Sequence, residues 1–225
     1  QITVGKAFAL EPEENFIKAG FAGCLLSSAR TGACAITAAS KLLPEATSLL
    51  IMGSGRVGFY AAFFAATAGR GQHVIFHDSV PERAVNAARA LQGLFPKSKI
   101  EVVTDFTHRD TDLAILASDS RAPFFGRGHP LPGLTISLGA DTDWQRELFP
   151  ELVEQLELFV DTRDSLNYGD LKQWQREERL DGKAVSDLFD IYRGKRPQGK
   201  ALFVSTGSAL FDNLTIDYLL GIAEG

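Results

Sequence analysis

The chain has 225 residues, 45% of them hydrophobic and 23% charged, which suits one large core or two modest ones and excludes a disordered composition. Its formal charge of −5 and pI near 5.4 argue against a surface built to neutralise nucleic-acid phosphates. No apolar run approaches the roughly 20 residues of a membrane helix, so the expected partner is a small molecule, with neither nucleic acid nor membrane involved.

Residues 1–28 give short extended pieces, ITVGKAFAL and NFIKAGFAGCLL, around an acidic turn. Residues 29–43 then read as an Ala-rich helix, with Arg30 where the extended segment enters it. From there short apolar runs alternate with helical patterns: TSLLIMG and a helix over 57–69, HVIFHD and a helix over 81–94, then IEVV, DLAILAS, LTISLGA and LELFVDT. LFPELVEQLELF reads as a short buried helix leading into the last of these. A tight turn at Gly207 precedes a helix over 209–220. Strands joined by helix-length segments need crossover connections, so the expected fold is α/β, a doubly wound, mostly parallel sheet of Rossmann type.

The stretch LLIMGSGRVGFYAAFF, residues 49–64, places Gly53, Gly55 and Gly58 as G-x-G-x-x-G where a strand turns into a helix. Such a turn leaves the first helical N–H groups without intrahelical partners, and small residues let a diphosphate approach them. Arg56 and Val57 belong to the same loop. The next strand ends at Asp78, 25 residues past Gly53, near the spacing of about 20 expected of the acid that binds the adenosine ribose diol. An acid there repels the extra phosphate of NADP, so NAD is the expected cofactor, with Arg83 one turn later as the residue that works against this preference. The alternative is a plain tight turn and an Asp that caps the helix before Pro81.

A dinucleotide site leaves the reaction open. Arg30, beside Thr31 and Gly32, offers a planar fork suited to a carboxylate, the alternative being an ordinary surface arginine. In LPGLTISLGADTDWQRELFPEL a strand runs into GAD, which puts Asp141 just past the carboxyl end of a sheet strand, where open α/β sheets bind ligands. Beside a nicotinamide a carboxylate orients an amine or water, or takes its proton. The alternative role is to cap a helix beginning near Trp144, with Asp143 as competitor. Phe124 and Phe125 are expected to pack in the core, or to line the nucleotide pocket.

Cys24 and Cys34 have neither metal-ligand nor redox spacing, and no charged-then-apolar leader opens the sequence as given, so a reducing compartment, the cytoplasm, is expected. No metal site is expected: His73 and His77 share one face of a strand without a cysteine or carboxylate partner, and His108 and His129 stand alone in loops.

In chain order ARTGA (29–33), GSGRVG (53–58), LPG (131–133), GADTDWQREL (139–148), VDTRDSLNYGDL (160–171), IYRGKRP (191–197) and STGSALFDN (205–213) resemble the landmarks of the ornithine cyclodeaminase/μ-crystallin family. The resemblance covers nearly the whole chain from about residue 25 onward. It implies a homodimeric, NAD(P)-dependent enzyme of small amino or imino acids. Residues 41–204 would be its Rossmann domain, and 1–40 part of a second domain for substrate and dimerisation, with 205–225 packing back toward it. It further implies that Arg30, with Thr31, binds a substrate carboxylate and that Asp141 is catalytic. Ala117 and Ser118 would form a loop under the cofactor, and Ser205 and Gly207 a loop beside the nicotinamide.

Family members carry a longer portion before the arginine than the 29 residues here, which implies either a fragment or an N-terminally shortened substrate domain, with Lys6 and Lys18 as candidates for a substrate-contacting lysine. An aspartate at 141 implies cyclodeamination: ornithine or a related amino acid loses ammonia to give a cyclic imino acid such as proline, its hydride leaving and returning within one turnover. The alternatives on the same scaffold are an amino-acid dehydrogenase or ketimine reductase, and a non-catalytic NAD(P)-binding protein like μ-crystallin. DTDWQR differs from the proline- and glycine-containing version of ornithine-specific members, which leaves the amino acid itself open.

Overall fold

The structure, a computed structural model, describes residues 5–11, 13, 16–107, 109–128 and 130–224; His108 and His129 lie outside the described residues. An antiparallel hairpin of β1 (Lys6–Glu11) and β2 (Phe16–Ala22) leads into the long helix α1 (Gly23–Leu42). Next come β3 (Ser48–Met52), α2 (Arg56–Thr67), β4 (His73–His77), α3 (Pro81–Leu94) and β5 (Lys99–Val102). β6 (Leu113–Leu116), β7 (Leu134–Ser137), the single turn α4 (Leu152–Gln155) and β8 (Glu157–Val160) follow. The chain continues with α5 (Gly169–Arg176), β9 (Val185–Ser186), α6 (Leu188–Tyr192), β10 (Ala201–Val204) and α7 (Ala209–Glu224).

β3 to β10 make one sheet in the order β5-β4-β3-β6-β7-β10-β8-β9, with every neighbouring pair parallel. This is the doubly wound α/β sheet expected, and its order reverses between β3 and β6. Parallel strands covered on both faces read as unbroken apolar runs, as SLLIM, LAIL and ALFV do. The pleat divides them between two cores. Leu49 and Ile51 of β3 join Phe76, Ile115 and Phe203 beneath α1, α2 and α3, whereas Leu50 and Met52 join Ile75, Leu116 and Trp174 on the other face.

Three local expectations are corrected. The helix expected over 29–43 begins at Gly23: Leu26 packs into the core one turn ahead of the small residues, and the Ser28 hydroxyl donates to the Cys24 carbonyl at 2.7 Å. Arg30 therefore lies inside α1 and not at its entry. The connections 103–112 and 117–133 contain no helix among their described residues, so the alternation of strand and helix is less regular than the sequence suggests. No helix forms near Trp144, where Asp143 and Trp144 make a single turn in an otherwise irregular segment. Among the described residues no helix is long and apolar enough to cross a membrane.

Phe203, fully buried on β10 between β7 and β8, measures the central placement of that strand. Phe203→Ala is expected to lower the unfolding free energy by about 3–5 kcal/mol in urea titration. A loss below about 1 kcal/mol contradicts that placement.

Candidate active site

The carboxyl ends of β3, β4, β6 and β7 open into a cavity of about 670 Å³ at the point where the sheet order reverses. Its wall brings together Gly53, Gly55, Arg56, Val57, Asp78, Arg83, Ala117, Ser118 and Asp141 from the sequence-derived set. Gly58 is buried in the first turn of α2. Arg30, Thr31, Ser205 and Gly207 lie outside this lining. Phe124 reaches the cavity, while Phe125 is buried in the core.

Gly53 turns β3 toward α2 with φ 97°, a left-handed conformation that favours glycine, and a Cβ there would collide with the Ala117 carbonyl at the end of β6. Gly55 is the N-cap of α2, which has no side-chain cap, and a Cβ on Gly55 would meet no protein atom within 4 Å. The first N–H groups of α2 thus face open space across a residue without a side chain, the cradle a diphosphate requires. Asp78, 8% exposed, accepts the Ser54 N–H at 2.7 Å and the Val80 N–H at 2.9 Å, with Arg83 at 4.0 Å. It therefore pins the glycine loop to β4. The N-cap of α3 is Val80, so the capping role weighed for Asp78 does not arise.

Asp141 stands on the cavity wall just past β7. Asp143, the competitor for the capping role, pairs with Lys172 at 2.7 Å, and Asp141 itself caps nothing, because no helix forms near Trp144. Burial raises its carboxyl above the ordinary aspartate value, and the Arg30 charge opposes that rise. The Arg30 guanidinium lies against Gly207, donating from Nε to Asp212 at 2.8 Å and from Nη2 to Ser27 at 3.2 Å. It lines a second, apolar hollow of about 580 Å³ among α1, α6 and α7. Arg30 and Asp141 thus line different hollows while the charge of one is felt by the other. Thr31 follows on α1, half-buried.

Sequence reasoning missed four acids. Asp161, 2% exposed, accepts the Ser205 hydroxyl at 2.7 Å, the Gly207 N–H at 2.9 Å and the Ser165 hydroxyl, so it fixes the turn after β10 from below. Nearby, burial and the Asp161 charge push the Cys34 thiol up to about 11, which makes it unreactive. Glu147, fully buried, accepts from Ser118 and Gly139, and Asp170 accepts the Glu147 N–H at 2.9 Å. Asp212 orients Arg30. Asp161 carried a usable signal, an acid directly after an apolar strand like Asp78; the other three did not. His73 is bonded to Glu101 at 3.2 Å and His77 to the Val103 carbonyl at 3.1 Å. Among the described residues no cluster of His, Cys, Asp or Glu is arranged to hold a metal.

Burial pushes Asp170 up to about 7, with the Glu147 charge adding to the rise, and its Oδ1 has no hydrogen-bond partner among the described residues. Its folded pKa thus exceeds its unfolded value, so its contribution to stability is complete below about pH 4 and is lost as pH rises through about 7. Urea unfolding at pH 4 and pH 8 is expected to show the native chain losing a few kcal/mol more than Asp170→Asn across that interval. Parallel losses in the two proteins contradict the assignment.

No curated protein matches the chain. The sequence profile of the ornithine cyclodeaminase/mu-crystallin family matches residues 5–220. Among solved structures, the Δ1-pyrroline-2-carboxylate reductase of Thermococcus litoralis, in complex with NADH and L-proline, is similar with a TM-score of 0.82 at 20% identity, over 95% of this chain and 70% of that one. The iminosuccinate reductase of Paracoccus denitrificans, in complex with NAD⁺, gives 0.82 at 21% identity, over 98% and 70%. A probable ornithine cyclodeaminase from Bordetella pertussis Tohama I gives 0.78 at 20% identity, over 96% and 71%. At these identities the structural likeness is one of fold; with the profile matching nearly end to end, the chain belongs to the ornithine cyclodeaminase/mu-crystallin family.

Proposed function

We propose that the chain is an NAD-dependent enzyme of small amino or imino acids and that it cyclodeaminates a diamino acid such as ornithine. The observation that carries this reading is Asp141, a carboxyl raised by burial on the wall of the cavity that holds the glycine loop and Asp78, and within the field of Arg30. NAD is supported by the open cradle at Gly55 and α2, by Asp78 at the end of β4, and by the NADH and NAD⁺ in two structures of the same fold.

Bound NAD would supply reversible hydride transfer at the substrate α-carbon. Arg30 would hold the substrate carboxylate: Asp212 and Ser27 already orient its fork, and a guanidinium has further N–H donors to offer. Asp141 would take a proton from the distal amine, freeing its lone pair for attack on the α-carbon imine, and return that proton to the departing ammonia. The raised carboxyl suits both halves of that exchange. It also favours a second reading, in which Asp141 protonates a cyclic imine reduced by NADH.

The domain assignment belongs to the same proposal: 41–204 binds cofactor, while 1–40 and 205–225 serve substrate and dimer. α7 lies along α1, and Leu214, Tyr218 and Ile222 of α7, with Phe8, Leu10, Phe16 and Ile17 of the hairpin, are exposed. So much exposed apolar surface supports a homodimer.

Ammonia and NADH measured together, with NAD⁺ and a panel of amino acids including ornithine, test the reading. Ammonia without net NADH supports cyclodeamination; matched ammonia and NADH supports dehydrogenation; silence in a protein that binds NADH sinks both. Asp141→Asn is expected to lower turnover about 10²–10⁴-fold with NADH affinity retained, and unchanged turnover rejects its role. Arg30→Lys, which keeps charge but loses the fork, is expected to raise KM about tenfold or more.

A further inference from the structure

The backbone ladder between β6 and β7 ends where the Leu138 N–H donates to the Leu116 carbonyl at 2.8 Å. The next two N–H groups belong to Ser118 and Gly139, both on the cavity wall, and both turn to one side chain. Glu147 Oε1 accepts the Ser118 N–H and hydroxyl, each at 2.8 Å, and Oε2 accepts the Ser137 hydroxyl at 2.7 Å and the Gly139 N–H at 3.1 Å. We propose that Glu147 is a positioning residue for the dinucleotide site: its carboxylate continues the ladder past the strand ends and fixes the wall formed by Ser118 and Gly139.

This inference rests on the reading of the cavity as an NAD site and adds a residue that touches neither cofactor nor substrate. Two features separate it from ordinary core filling. A fully buried carboxylate whose hydrogen-bond partners are all neutral costs free energy that an apolar side chain would not. The fit is also tight, since a Cβ on Gly139 would collide with the Ser118 carbonyl and the Glu147 carboxylate, so the two turns meet over that acid without spare room.

Glu147 is itself held from both directions. Its N–H donates to Asp170 at 2.9 Å, and its carbonyl accepts the Phe124 and Phe125 N–H groups at 3.1 and 3.0 Å. The start of α5 also grips the segment between Gly139 and Glu147, through the Gly169 N–H to the Thr142 carbonyl at 3.2 Å and Lys172 to Asp143. That segment contains Asp141, so a shift at Glu147 reaches the nucleotide wall and the proposed catalytic carboxyl together.

The arrangement needs two acceptor oxygens, one for each backbone N–H. An amide has one, so Glu147→Gln leaves the Ser118 or the Gly139 N–H facing the amide NH2, two donors that must move apart; the shifted wall is expected to bind NADH about tenfold more weakly or worse. Glu147→Asp keeps both oxygens but falls one methylene short. Ser137→Ala removes a hydroxyl donor and leaves both N–H bonds in place.

NADH binding, followed by its fluorescence, and far-UV circular dichroism on the full chain test the proposal. Glu147→Gln and Glu147→Asp are expected to keep the native dichroism and bind NADH at least about tenfold more weakly, with Ser137→Ala within about threefold of the native chain. Native-like NADH affinity in either folded Glu147 variant overturns the proposal, as does an equal loss in Ser137→Ala. Failure of both Glu147 variants to fold overturns it too, by making the residue a stability element. Failure of the native chain to bind NADH removes the dinucleotide reading itself, an outcome distinct from the others.

Discussion

Past the Leu138–Leu116 rung the backbone ladder between β6 and β7 stops although the chains stay in contact, and a side chain from neither strand, Glu147, takes up the N–H groups left over. Around that junction the chain is stacked backbone on backbone. Gly53 touches Ala117, Ser118 touches Gly139, and Gly169 touches Ala140, each contact closer than any residue with a Cβ allows. The glycine loop, the ends of two strands and the start of α5 therefore behave as one rigid piece. On its open side lies the cavity; on its closed side lie carboxylates taken out of water. A polar interior of this kind is tolerable only when its donors and acceptors are matched, and Glu147 meets four donors.

A second buried acid organises the other half of the site in the same way. Asp161 collects Ser205, Gly207 and Ser165, and the Arg30 guanidinium rests on the turn so formed. Asp212 then sets the direction of the arginine from α7. Each acid works through a neighbour: Glu147 shapes the nucleotide wall, Asp161 supports the arginine, and Asp141 is the acid left facing the cavity with a raised carboxyl. Serines 118 and 205 line up with this division, since their hydroxyls are committed inward to Glu147 and Asp161.

The parts of the site legible in the sequence are those fixed by short spacing. The glycines, the strand before them and Asp78 fall within a single βα turn and the strand that follows, so period and turn chemistry suffice to place them. Asp141 was legible as an acid at a strand end. Asp161 is legible in the same way as Asp78, as an acid directly after an apolar strand, whereas Glu147 and Asp170 are not, because they meet each other across 23 residues, Glu147 reaches Ser118 across 29, and a buried acid leaves no periodic trace. Asp212 is more remote still, meeting Arg30 across 182 residues. The early start of α1 escaped for a different reason: Leu25–Leu26 beside small residues reads equally as strand or helix until the packing of Leu26 decides.

The position of β10 carries a consequence for how the chain reaches this state. β7 and β8 are made first, yet they are not neighbours; the strand that separates them, Ala201–Val204, comes after both. Until it arrives their facing edges have no partner, and two rows of backbone groups that are buried in the finished protein are open to water or to another chain. The sheet is thus completed in its middle by a strand that follows both of its neighbours in the sequence, a pairing of long sequence separation and so of high closure entropy. The turn on which Arg30 rests, Ser205 to Gly207, directly follows that strand, so the seat of the arginine is built only once β10 lies between its neighbours.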